Sequence, residues 1–163
     1  MPTQLGPAQP PPANRRAAGW FLKSMELPLD HHKRVVQRFN QEVIAEGNRV
    51  NFEELMDEHF VNHSAPPGSY DGPNGMWPTF QNVLRPALAG LQVHIHAQVA
   101  EGDVVTSRKT ITGAHTGPLL GIVPTGQPVA TDVLNMVRVR GGKYFEHSGL
   151  NTLAVVLAHL RHQ

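Results

Sequence analysis

The sequence of 163 residues has no cysteine, few charged residues and no long apolar run, and each absence excludes a class of protein. Without cysteine there are no disulfide bonds, thiolate metal sites or cysteine nucleophiles. The formal net charge of +1 does not favour nucleic acid or an anionic membrane surface as a partner. No apolar stretch approaches the ~20 residues of a transmembrane helix, and the proline-rich first 14 residues lack the apolar segment of a signal peptide. We therefore expect a cytoplasmic protein that binds neither nucleic acid nor membranes.

Several short motifs that carry chemistry are also absent. The chain contains no phosphate-binding loop of the G-x-x-x-x-G-K-[ST] type and no G-x-G-x-x-G dinucleotide fingerprint. It has no G-x-S-x-G nucleophile elbow. His94 and His96 have the i, i+2 spacing of a chelating pair, but no third ligand is evident from the sequence. We expect neither a cofactor nor a metal ion.

Proline separates a tail from a domain. Five of the first twelve residues are proline, which removes backbone donors and blocks helix formation. We predict a disordered or extended tail over residues 1–27 and one α+β domain over residues 28–163. An alternative is that the tail docks on a partner subunit or across a pocket mouth.

The first half of the domain has the apolar spacing of helices. A stripe of five apolar residues predicts a helix that begins near Asp30 and is ended by Gly47 and Asn48; the five are Val35, Val36, Phe39, Val43 and Ile44. A short second helix should turn Phe52, Leu55 and Met56 inward. A short strand over residues 60–63 and a weaker helix over residues 76–88 follow.

In the second half of the domain apolar and polar residues alternate, as they do in β-strands. Strands are expected over residues 91–100, 104–115, 129–140 and 143–149, with Gly141-Gly142 as a two-residue hairpin turn, and a helix over residues 152–160 closes the chain. Helices followed by an antiparallel meander predict a curled antiparallel sheet wrapped around the N-terminal helices. The outer face, with His94, His96, Leu134 and Met136, mixes apolar and polar side chains, so we expect a homodimer through it.

Residues 30–160 resemble the SnoaL-like polyketide cyclase family, also called ester cyclases, of the cone-shaped nuclear-transport-factor-2-like superfamily. The resemblance rests on the order and spacing of six segments. These are V-Q-R-F at 36–39, F-V-N-H-S at 60–64, A-E-G-D-V at 100–104, G-A-H-T-G at 113–117, G-I-V-P-T-G at 121–126, and R-V-R-G-G-K at 138–143 followed by E-H at 146–147. It implies a cone fold and a cyclase that closes a ring by intramolecular aldol condensation.

The resemblance also shows where this chain departs from the family. In family cyclases an acid/base carboxylate stands two residues beyond the histidine of the E-H element, and here that position is Gly149. A further aspartate often follows three residues later, where this chain has Thr152. The position of a family pocket histidine on the preceding strand aligns with Asn135.

Strand alternation selects candidate site residues independently of the family. Val133, Asn135 and Val137 share one strand face, and Phe145, His147 and Gly149 share a face of the next strand. Both sets are mostly apolar and should look into the cone, which leaves His147 and Asn135 as the polar groups of an apolar cavity. His147 could act as a general acid or base, and Asn135 could orient a carbonyl or enolate oxygen.

Three more candidate pocket residues are Asn62 and His63, which end the first short strand, and Tyr70 in the loop that follows it. By parity Asp132 points to the outer face, and His115 serves a structural hydrogen bond. The hypotheses are therefore a cofactor-independent cyclase or isomerase acting on a hydrophobic small molecule, a non-catalytic protein that binds one, or an epoxide-opening hydrolase on the same fold.

Overall fold

The first helix, α1, spans Pro28–Arg38 and continues as a π-helical segment over Phe39–Ala45 in this computed structural model, which describes residues 28–162. The predicted tail over residues 1–27 lies outside the described residues. All five residues of the predicted apolar stripe are buried. The helix ends at Gly47, whose φ of +73° is readily adopted only by glycine.

The second helix is shorter than its apolar pattern indicated. Helix α2 spans Arg49–Leu55 and is capped by Asn48, whose side chain accepts a hydrogen bond from the backbone N–H of Asn51. Met56 is buried as predicted, but it begins strand β1 (Met56–Asn62) instead of ending the helix. The next helix, α3, spans Pro73–Pro78 and continues through a π-helical turn, Thr79–Leu84, and a last short turn, Arg85–Ala87.

Four long strands form the antiparallel meander that the sequence predicted. They are β2 (Leu88–Glu101), β3 (Val104–His115), β4 (Pro128–Arg140) and β5 (Lys143–Asn151), followed by helix α4 (Leu153–Leu160). The hairpin glycines Gly141 and Gly142 have φ of +56° and +75°, as a tight turn between twisted strands requires. The sheet order is β1-β5-β4-β3-β2. The short strand β1 was predicted, but its parallel pairing with β5 at the edge of the sheet was not.

The α+β cone is confirmed. Two groups of buried side chains fill it. One packs α1, α2 and β1 against the inner faces of β3, β4 and β5; its aromatic centre is Phe39, stacked on Tyr144 with ring centroids 4.0 Å apart. The other, at the opposite end, gathers Leu88, Leu119, Val129 and Leu160 beneath α4. The space between these two groups is the cavity described below.

Two irregularities correct the predicted strand faces. A shift in pairing between Ile95 and Ala97 turns Ala97 and Val99 outward, although simple alternation placed both in the core, and Val99 is 69% exposed. A second shift, beside Arg138 and Val139, brings Tyr144 instead of Phe145 onto the inner face of β5. A bulge inserts one unpaired residue, so alternation beyond it is reversed.

Candidate functional site

An internal cavity of about 470 Å³ lies between the helices and the inner face of the sheet. Its walls are mostly aliphatic and aromatic side chains of α1, α3 and α4 and of the loop before β4. Its polar groups come from neighbouring strands, from the loop after β1 and from the π-helical turn after α3: Asn62, Ser64, Thr79, Lys109, Thr131, Asn135, Tyr144, His147 and Asn151. A cavity of this size with a few converging polar groups is typical of a small-molecule site.

The side chain of His147 is held in one orientation by Asn62. The parallel pairing of β1 with β5 places Asn62 directly opposite His147, and His147 Nδ1 lies 2.9 Å from Asn62 Oδ1. The same oxygen accepts the backbone N–H of Ser64 at 3.1 Å. An amide oxygen cannot donate, so Nδ1 carries the proton and donates to it. The lone pair of neutral His147 is therefore on Nε2, which has no hydrogen-bond partner among residues 28–162.

Burial keeps His147 neutral. Desolvation, with smaller contributions from the charges of Lys109 and His63, lowers the pKa of His147 from 6.5 to about 4. At neutral pH the imidazole is consequently a hydrogen-bond acceptor and a weak base.

Lys109 is a second titratable group in the cavity. It lies on the inner face of β3 between Ser107 and Ile111 and is only 4% exposed. Its Nζ donates to Asn40 Oδ1 at 2.5 Å, and Asn40 in turn donates to the Val36 carbonyl at 2.7 Å. Desolvation lowers the pKa of Lys109 from 10.5 to about 8. Within the described part of the chain no carboxylate lies close enough to form an ion pair with it.

Asn135 and Gly149 complete the polar wall. The two residues are paired across β4 and β5, and Asn135 is 3% exposed. Among residues 28–162 its Oδ1 has no hydrogen-bond donor. A Cβ on Gly149 would lie 3.1 Å from His147 Cε1, 3.2 Å from His147 Nε2 and 3.3 Å from Asn135 Cβ. Glycine therefore leaves open the space beside Nε2.

The structure thus brings Asn62, Val133, Asn135, His147 and Gly149 together on one cavity, as alternation and the loop position predicted. Their roles remain predictions.

Four other predicted site residues lie elsewhere. Val137 faces inward but is fully buried in the core beyond the cavity, and the β5 bulge turns Phe145 away, under the guanidinium of Arg140 at 3.8 Å. His63 lies in the turn just after β1 and contacts Glu146, with its Nε2 3.4 Å from Glu146 Oε2, instead of lining the cavity. Tyr70 lies in the predicted loop but is 61% exposed and does not reach the cavity.

The remaining predicted polar groups have structural surroundings. Asp132 points to the outer face, where it accepts a hydrogen bond from Thr110, which also contacts His96. Thr152 accepts the backbone N–H of Asp132 and does not line the cavity. His115 is buried against Thr125 in the turn before β4. No group of three or more potential metal ligands occurs among residues 28–162, and no helix in that range is long and apolar enough to cross a membrane.

Comparison with known families identifies this architecture. Residues 34–160 match the SnoaL-like polyketide cyclase family. The chain belongs to that family. Solved structures of the same fold include TsrD from Streptomyces laurentii, with a TM-score of 0.72, 20% identity, and coverage of 83% of this chain and 97% of that one. IdmH, a candidate polyketide cyclase from Streptomyces antibioticus, has a TM-score of 0.70, 25% identity, and coverage of 80% and 98%.

Solved structures of the same fold have more than one described role. AclR from Streptomyces galilaeus, a candidate hydroxylase, has a TM-score of 0.70 and 22% identity, with coverage of 83% of each chain. A comparison with curated proteins gave no significant match. Membership supports a cyclase-like role, while the reaction depends on the residues of this particular cavity.

In this SnoaL-like chain the cavity lining contains no aspartate or glutamate among the described residues. Its polar set is instead a neutral histidine, a buried lysine, amides and hydroxyl groups. Lys109 and Tyr144 line the cavity but are not among the site residues predicted from the sequence. The signal for Lys109 was available, because Val105, Ser107, Lys109 and Ile111 alternate along β3 with the parity of a buried face. Tyr144 could not be found this way, since the bulge that turns it inward has no signature in the sequence.

Proposed function

We propose that this protein is a polyketide-cyclase-like enzyme of secondary metabolism that acts on a hydrophobic carbonyl compound without a cofactor. The reaction is ring closure of the intramolecular aldol type or an isomerisation that shares its first step. The observation that carries the proposal is the free Nε2 of His147, which opens into an apolar cavity while Asn62 fixes Nδ1–H.

In the proposed first step, Nε2 of His147 removes a proton from the carbon next to a carbonyl group. The C–H electron pair becomes an enolate, and the Asn135 amide can donate a hydrogen bond to its oxygen. The enolate carbon then attacks a second carbonyl of the same molecule, and the imidazolium returns its proton to the new alkoxide. A pKa of about 4 makes His147 a weak base, so the nearby enolate must supply the charge that stabilises the imidazolium.

Deuterium exchange tests this step without knowledge of the natural substrate. 2-Tetralone, a hydrophobic ketone with exchangeable α-protons, would be incubated with the protein in D2O and followed by proton NMR. We expect catalysed exchange that His147→Ala lowers by about 10²-fold. His94→Ala, which removes an exposed histidine of the outer sheet face, is the matched control and should exchange at the wild-type rate. Equal rates for wild type and His147→Ala would refute the acid/base role.

A second candidate function is non-catalytic binding of a hydrophobic ligand. It is favoured by Gly149, because the family's acid/base position carries no functional group here. If 2-tetralone binds wild type and His147→Ala with equal affinity and neither protein accelerates exchange, this function is preferred. An epoxide-opening hydrolase would need a carboxylate facing the cavity, and the described lining contains none.

We also propose that two copies pair through the outer sheet face. Leu134, Met136 and Leu150 are 53%, 52% and 77% exposed on neighbouring positions of β4 and β5. Such an apolar group on a sheet face is typical of an interface. Arg108 and Asp132 are both exposed on the same face as this apolar group. Because one is basic and the other acidic, the charges of two copies related by a two-fold axis can be complementary.

A further inference from the structure

Lys109 is a buried amine that the proposed acid/base step does not use. Its side chain enters the cavity from β3, and its only hydrogen-bond partner among residues 28–162 is Asn40 Oδ1. Lysine is almost never fully buried unless it is paired with a charge, and here the partner is a neutral amide. A buried lysine of this kind needs an explanation other than an ion pair.

The surroundings of Lys109 favour the neutral form of the amine. The cavity around it is largely apolar, and the amide oxygen of Asn40 stabilises an ammonium less than a carboxylate would. The charge of Lys109 contributes to the lowered pKa of His147, which lines the same cavity. A lysine with a lowered pKa in an apolar pocket is the usual arrangement for attack on a carbonyl.

We propose that Lys109 is a covalent binding site for aldehydes and ketones, which it holds in the cavity as an imine. The site takes hydrophobic carbonyl compounds of a size that fits about 470 Å³. Imine formation needs only the cavity and the amine, so it does not depend on whether the protein is a cyclase.

The proposed step is a condensation in which one water molecule leaves. The lone pair of Nζ forms a bond to the carbonyl carbon, and the C=O π electrons move to oxygen. One proton passes from Nζ to that oxygen, which gives a neutral carbinolamine. Its hydroxyl takes a second proton, initially from solvent, and departs as water, leaving a protonated C=N bond. No oxidant, reductant or cofactor is required.

An imine at Lys109 would also assist the chemistry proposed above. A protonated imine draws electrons from the adjacent carbon more strongly than a carbonyl does, so a weak base such as His147 suffices to remove a proton there. The product would be an enamine, the nucleophile of an aldol step. This assistance rests on the proposed function, whereas imine formation itself does not.

Reductive trapping tests the site directly. The full chain would be incubated with 2-naphthaldehyde and sodium cyanoborohydride, which reduces an imine to a stable secondary amine, and the modified residues would be located by peptide mass spectrometry. We expect Lys109 to be modified at least tenfold faster than Lys33 and Lys143, because an amine with a pKa of about 8 has a roughly three-hundredfold larger neutral fraction at pH 7 than an ordinary lysine. Lys33 and Lys143, which do not line the cavity, are the internal references for reactivity outside it.

Two controls separate a cavity effect from amine reactivity. 2-Naphthalenemethanol, which lacks the carbonyl group, should slow modification of Lys109 and leave modification of Lys33 and Lys143 unaffected. Lys109→Met should lose the cavity adduct yet still bind the alcohol, which would show that the variant folds with its cavity intact. Lys143→Met should be trapped at Lys109 as wild type is.

Three results would overturn the proposal. Modification of Lys109 no faster than that of Lys33 and Lys143 would show that the amine is not activated. Binding of the alcohol without any adduct at Lys109 would show that a ligand enters but does not react. Tight binding of 2-naphthoate that Lys109→Met abolishes, again without an aldehyde adduct, would assign Lys109 to pairing with an anion instead. In each case the deuterium-exchange result with His147→Ala would stand independently.

Discussion

Burial of Lys109 predicts an unusual dependence of stability on pH. The pKa of its ammonium is about 8 in the folded protein and 10.5 when solvated. Between these values the unfolded chain holds a proton on Lys109 that the folded protein has lost. The free energy of unfolding therefore rises with pH in this window. The difference between the two pKa values corresponds to about 3 kcal/mol.

Lys109→Met isolates this contribution, because methionine fills a similar volume without a titratable group. At pH 7 the variant has no buried ammonium, which removes a desolvation cost of about 3 kcal/mol from the folded state. The variant also leaves Asn40 Oδ1 without its donor, which lowers the free energy of unfolding by about 1–3 kcal/mol. These effects nearly cancel, so the variant should fold. The Asn40 effect does not change with pH. Wild type should consequently gain about 3 kcal/mol relative to Lys109→Met between pH 8 and pH 10.5.

Urea denaturation followed by circular dichroism at several pH values measures this gain. Other groups that titrate at high pH, such as tyrosines, are present in both proteins and cancel in the difference. Lys143→Met, which removes a lysine outside the cavity, measures the effect of the changed net charge alone. A wild-type minus Lys109→Met difference that stays constant from pH 7 to pH 10.5 would show that Lys109 is solvated or paired with a carboxylate, contrary to the structure.

Three other predictions concern the cavity and the outer face. A carbon-bound proton NMR titration should give a pKa near 4 for His147 and not near 6.5; a value above 6 would contradict its burial. Gly149→Asp should raise that pKa by placing a carboxylate beside the ring, whereas Gly149→Ala, the uncharged control for the contact near 3.1 Å, should not. Leu134→Glu with Leu150→Glu should halve the mass measured by light scattering at micromolar concentration; a wild-type protein that is already monomeric would refute pairing through this face.

Most of the fold could be predicted from the sequence because its signals are local. The apolar stripe of α1 has helical spacing, and Gly141-Gly142 between two alternating segments indicates a hairpin with little ambiguity. The inward direction of Asn135 and His147 follows from the same alternation. These features depend on neighbours within a few residues, and the structure contains all of them.

Features that depend on bulges or on distant pairing could not be predicted. The bulge on β5 exchanges Phe145 for Tyr144 on the inner face, and the one on β2 turns Val99 outward. A bulge adds one residue to a strand without a distinctive sequence, and it reverses the faces of every residue beyond it. The error in placing Phe145 in the cavity has this cause.

Periodicity and turn chemistry depend on adjacent residues, so the first helix, the meander and the inward positions of Asn135 and His147 could be predicted from the sequence. The chemistry of these positions depends on contacts between residues far apart in the chain. The parallel pairing of β1 with β5 brings Asn62 to His147 across 85 residues and fixes the imidazole tautomer. Packing of α1 on β3 brings Asn40 to Lys109 across 69 residues. Only the folded sheet and helices remove water from around His147 and Lys109, and this desolvation lowers the pKa of each.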